Sequence, residues 1–112
     1  MKTVSIIKGT AITMVGYMLG IAVIGLSTTK QNGTDPREDV DIIGFVNTLE
    51  SYLKEITGES DIQVTVDVDY YMSIALHTGY EYAFKIGSNM RVEEHLSNSA
   101  TLFEKLSEII GE

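Results

Sequence analysis

Two carboxylates, Asp67 and Asp69, stand two residues apart within IQVTVDVDYYMSIAL, residues 62–76. Every even position of that stretch, from Ile62 through Val64, Val66, Val68, Tyr70, Met72 and Ile74 to Leu76, is apolar or aromatic. A period of two puts successive side chains on opposite faces of a strand. Both carboxylates therefore share the polar odd face with Gln63, Thr65, Tyr71 and Ser73. Such a pair can move protons or hold a hard cation. A cation site needs more oxygen ligands, however, and neither a third carboxylate nor a calcium-loop spacing accompanies these two. The plainer reading is a solvated strand face, on which Asp67, Asp69 and the outward aromatic Tyr71 form a candidate partner-binding surface, since tyrosine is enriched in contact patches.

The remaining chemistry-bearing residues are sparse. His77 falls in a turn-like stretch and His95 in a helical one, and no HExxH or similar spacing joins them into a metal site. No serine occupies a GxSxG elbow, and neither a phosphate-binding glycine loop nor a dinucleotide fingerprint is present. The chain has no cysteine, which removes disulfides, thiolate ligands and thiol nucleophiles. No catalytic, metal or cofactor-binding residues are expected, and the chain reads as a non-enzyme.

The elements around these residues describe a small α+β domain. TKQNGTDPRED, residues 29–39, is a polar linker ending in a helix start, with Asp35 as the expected N-cap, Pro36 in the first helical position and Glu38 at capping-box spacing. Asn32-Gly33-Thr34 fits a glycosylation sequon but reads first as a turn. Ile42, Phe45, Leu49, Tyr52 and Ile56, widened by Val46 and Leu53, form the apolar stripe of a helix that Gly58 stops. After Leu76, the returning stretch YEYAFKI keeps its apolar residues on even numbers. A two-residue loop would set core positions against solvent positions. A three-residue loop, His77 to Gly79, pairs Leu76 with Tyr80, Ile74 with Tyr82, Met72 with Phe84 and Tyr70 with Ile86, with Gly79 in a left-handed conformation. Residues 62–68 then overhang, so the strand either bends near Asp69 into a third strand or offers its edge to another chain. A last helix places Val92, Leu96, Ser99, Phe103, Leu106 and Ile110 on one stripe, capped by Ser88 or Asn89 and ended by Gly111.

Charge divides the chain. Of the 112 residues, 1–29 carry only Lys2 and Lys8, whereas residues 30–112 hold six basic against sixteen acidic side chains. So acidic a domain repels phosphate backbones, and no nucleic-acid partner is expected. GTAITMVGYMLGIAVIGLSTT, residues 9–29, contains no charge at all. As a helix it would reach about 31 Å, the thickness of a hydrocarbon core, and its four glycines are tolerable in lipid. A cleaved signal peptide, or strands buried in a globular core, are the other readings of the stretch.

The expected organisation is therefore a single transmembrane helix followed by a helix-strand-strand-helix domain with an antiparallel sheet. Residues 1–29 would be the anchor, 30–39 the linker and cap, and 40–112 the acidic domain. The short basic amino-terminal tail favours a single-pass arrangement with the N-terminus inside and the domain outside the cytoplasm. Gly9, Thr13, Gly16, Gly20 and Ser27 draw a small-residue stripe suited to helix packing within the bilayer, with a second copy or another membrane protein. The expected function is a membrane-anchored, non-catalytic binding or accessory module whose partners are the lipid bilayer and such a membrane protein. Two rival functions are a soluble acidic inhibitor that imitates nucleic-acid charge, and a small enzyme or metal-binding domain in which Asp67, Asp69 and His77 converge.

Overall fold

The computed structural model describes residues 2–25, 35–76, 79–87 and 91–111, with the side chains of the first helix described from residue 11 to residue 23. The elements are α1 (Lys2–Gly25), α2 (Val40–Thr57), β1 (Gln63–Val66), β2 (Tyr71–Ala75), β3 (Glu81–Lys85) and α3 (Val92–Ile110). The strands form one antiparallel meander in the order β1-β2-β3. α2 lies on β1, α3 lies on β3, and α1 touches both of these helices and β3.

The expected membrane anchor is overturned. Among the described residues no helix is long and apolar enough to cross a membrane, so the single-pass topology and the placement with the N-terminus inside lose their basis. α1 instead belongs to the core. Val15, Leu19, Ala22 and Val23 are buried in one cluster with Ile42, Leu49, Leu53, Met72, Ile74, Phe84, Leu102 and Leu106. Ala11, Val15, Leu19 and Ala22 recur at three- and four-residue intervals, which is one face of a helix. Hydropathy summed along the chain registers how apolar a segment is and not which side it buries, so a core helix with few charges imitates a span. A β-carbon on Gly16 would lie 3.4 Å from Phe103 Cζ, in ordinary contact, so this side of α1 faces α3. The Gly87 N–H donates to the Ala22 carbonyl at 3.2 Å and ties the end of the sheet to α1.

The helix-strand-strand-helix expectation is also corrected, to three strands, and of the two readings of residues 62–68 the bend near Asp69 is the one found. The long alternating stretch reverses at residues 67–71, and β1 and β2 pair with Val64 opposite Ile74 and Val66 opposite Met72. Each pair joins two even residues, so the apolar stripe stays on one face through the reversal. The second hairpin has the expected register: Met72 faces Phe84, Ile74 faces Tyr82, and Gly79 has φ 89°.

Helix boundaries follow local chemistry. The N-cap of α2 is Asp39 and not Asp35: Asp39 Oδ1 accepts from the N–H groups of Asp41 at 2.9 Å and Ile42 at 3.1 Å. Asp35 caps the preceding turn, where its carboxylate accepts from the Arg37 backbone at 2.9 Å and its guanidinium at 2.8 Å. Gly58 and Gly111 end α2 and α3 in left-handed conformations. Ser88 and Asn89 lie outside the described residues, and Arg91 occupies the N-cap of α3 without a side-chain bond. α3 turns Ser99, Leu102, Leu106 and Ile110 inward, leaving Val92 and Leu96 exposed and Phe103 half-buried.

Candidate functional site

Asp67 and Asp69 lie not on a strand face but in the β1–β2 turn, and Tyr71 begins β2. The Asp67 N–H donates to the Tyr71 carbonyl at 3.0 Å, and the Tyr70 N–H to the Asp67 carbonyl at 3.2 Å. Asp67 Oδ1 accepts from the N–H groups of Asp69 at 2.9 Å and Tyr71 at 3.0 Å. This carboxylate is thus engaged in shaping the turn, an arrangement typical of aspartate beside a reversal. Asp69 is exposed at the tip. Tyr71 is exposed on the open face of the sheet, with Lys85 Nζ 4.5 Å from its ring centre as a cation–π cross-strand pair. The three residues stay adjacent, but Asp67 and the Tyr71 ring already have partners within the chain.

The histidines do not join them. His77 lies outside the described residues. His95 sits half-buried on α3, edge-on to Phe84 with ring centres 5.9 Å apart, and among the described residues its Nδ1 has no hydrogen-bond partner. Among the described residues no three His, Asp or Glu side chains gather closely enough to hold a metal ion.

Two sheet edges remain, and side chains treat them differently. The outward Val64 N–H of β1 donates to Glu50 Oε1 at 2.8 Å, and the same carboxylate holds Lys54 at 3.3 Å. On β3, Asn98 Nδ2 donates to the Ala83 carbonyl at 2.8 Å. Beside that edge, Tyr80, Tyr82, Ser97, Asn98 and Thr101 help line an open groove of about 450 Å³. Lys105 also lines it, its Nζ 4.2 Å from the Tyr80 ring centre and 3.3 Å from Glu108. Burial, with a smaller opposing effect of Lys105, raises the Tyr82 hydroxyl above its ordinary value. Sequence spacing could not reveal Glu50 or Asn98, because both reach their partners across 14 or 15 residues of chain.

The outward side of α1 is the other conspicuous surface. Met14, Tyr17 and Ile21 are 44%, 68% and 54% exposed, and their spacing of three and four residues aligns them. Thr13 is exposed beside them, and a β-carbon on Gly20 would meet nothing within 4 Å. Of the small-residue stripe, then, Thr13 and Gly20 border this surface and Gly16 faces Phe103. The side-chain surroundings of Gly9, and Ser27 altogether, lie outside the described residues. Compared with protein families, curated proteins and solved structures, the chain matches none of them.

Proposed function

We propose that the protein is a non-catalytic protein-binding module and that the outward face of α1 is its contact surface. The observation that carries this reading is the aligned exposure of Met14, Tyr17 and Ile21 on a helix with no charged residue between Gly9 and Gly25. Contiguous exposed apolar side chains mark interaction surfaces, and tyrosine and methionine are enriched in such contacts. The partner is a protein offering an uncharged apolar surface. Because no charged residue lies between Gly9 and Gly25, the helix face itself brings no charge to the contact, and its affinity should depend little on salt.

The test is site-specific photo-cross-linking from position 17 in the producing cell, with position 93 on the charged start of α3 as control. A discrete adduct from position 17 only, identified by mass spectrometry and re-formed from purified components, supports the reading. Its binding should fall at least tenfold when Tyr17 and Ile21 are both changed to serine. Identical adducts from both positions, or purified binding unaffected by the two substitutions, contradict it.

A further inference from the structure

The edge of β3 carries a pattern that is its own complement. Leu76 donates its N–H to Tyr80, and Ile86 donates to Tyr70, so the even residues of β3 direct their backbone groups to β2. In an antiparallel ladder the odd residues then point theirs the other way. The groups left facing outward belong to Glu81, Ala83 and Lys85, which pair on β2 only through their Cα positions opposite Ala75, Ser73 and Tyr71. Glu81 and Lys85 are equally distant from Ala83 and opposite in charge.

We propose that two copies of the chain join by antiparallel pairing of their β3 edges about Ala83, making one continuous six-stranded sheet. In that register Ala83 meets Ala83 of the second copy, while Glu81 meets Lys85 and Lys85 meets Glu81. On the helix-covered face Tyr82 meets Phe84. Every outward N–H and C=O of the three odd residues gains a partner. Slipping by two residues in either direction separates the opposite charges, and slipping by four sets Glu81 against Glu81 or Lys85 against Lys85, which is unfavourable. Charge thus selects the register as well as the partner. Asn98 does not prevent the pairing, because a carbonyl oxygen has two lone pairs and Ala83 can accept from Asn98 and from a second chain together. The groove beside this edge, walled on α3 by Ser97, Asn98, Thr101, Glu104 and Lys105, is open along Tyr80, Glu81 and Tyr82. β1 has no equivalent: its outward N–H at Val64 is occupied by Glu50, and Val64 and Val66 bring no charges to match.

This surface is separate from the α1 stripe, so the two proposals fail independently. Sedimentation equilibrium of the full chain and its variants tests it. The unmodified chain should form a dimer, and Glu81→Lys and Lys85→Glu should each weaken it at least tenfold by opposing like charges. An equimolar mixture of those two variants should recover association as a heterodimer, since each restores the other's complement; this recovery also shows that both are folded. Ala83→Pro, which removes an outward N–H that has no partner among the described residues, should be monomeric with unchanged far-ultraviolet circular dichroism. Tyr17→Ser should leave the dimer intact. A monomeric unmodified chain, a dimer indifferent to Glu81→Lys and Lys85→Glu, a mixture that stays monomeric, or a dimer lost on Tyr17→Ser would each overturn the proposal.

Discussion

At both ends of β2 the chain reverses through three residues closed by the same pair of backbone hydrogen bonds. Asp67 N–H donates to Tyr71 and Tyr70 N–H returns to Asp67 in the first hairpin; Leu76 N–H donates to Tyr80 and Gly79 N–H returns to Leu76 in the second. In each the third loop residue is left-handed, with φ 67° at Tyr70 and 89° at Gly79. Glycine adopts that conformation freely, whereas a residue with a side chain loses about 1–2 kcal/mol there. The first hairpin offsets this with the Asp67 carboxylate, which accepts from two loop N–H groups, and with Tyr70 packing against the core. One reversal is thus built from backbone freedom and the other from a side chain acting as a second backbone acceptor.

Substitutions separate the two constructions. The largest effect is expected at what they share: Ile74→Ala, in the strand common to both and fully buried, should cost about 2–5 kcal/mol by urea unfolding. Gly79→Ala should cost about 1–2 kcal/mol, because the added β-carbon has open space but the wrong backbone conformation. Asp67→Ala should cost about 1 kcal/mol, less than burial would make it, because water can reach the exposed N–H groups it abandons. If Gly79→Ala is silent while Asp67→Ala is severe, the roles assigned to the two turns are reversed.

A smaller effect belongs to the turn before α2. The Arg37 side chain, then its backbone N–H, hold the Asp35 carboxyl below its ordinary 3.8. A depressed value means that the ionised form is the bound one. Its contribution is complete above the ordinary value and disappears as pH falls through the lowered one. An NMR titration should find Asp35 protonating below pH 3.8, with the Arg37 Nε signal moving in step, whereas protonation at or above 3.8 would remove the interaction.

Much of the fold was readable where one physical cause dominates. The stripe and glycine stop of α2, the parity of residues 62–86 and the three-residue loop at Gly79 all follow from periodicity and conformational freedom. The β1–β2 reversal was legible only as one of two readings of the overhang at residues 62–68, because Tyr70 carries no turn signature and the even stripe runs through it unbroken. The N-cap moved because Asp35 and Asp39 each precede acceptable first turns, and the one nearer the apolar stripe prevailed. α3 contains two overlapping apolar rows, and packing chose Ser99, Leu102, Leu106 and Ile110 over the row through Val92 and Leu96. Asp67 and Asp69 fall in a turn and not on the strand face that their spacing suggested, because their roles depend on hydrogen bonds that spacing does not encode. For residues 9–29, composition described the apolar content, and only packing could say that Val15, Leu19 and Ala22 face the core while Met14, Tyr17 and Ile21 face outward.

That two-sidedness of α1 underlies both its place in the fold and the proposed binding surface, and thermal or urea unfolding of two variants measures it directly. Leu19→Ala, which empties a buried site, should destabilise the protein by about 2–5 kcal/mol. Tyr17→Ser, two residues earlier on the outward side, should change stability by no more than about 0.5 kcal/mol. Equal losses from both, or a silent Leu19→Ala, would show that α1 does not pack as described.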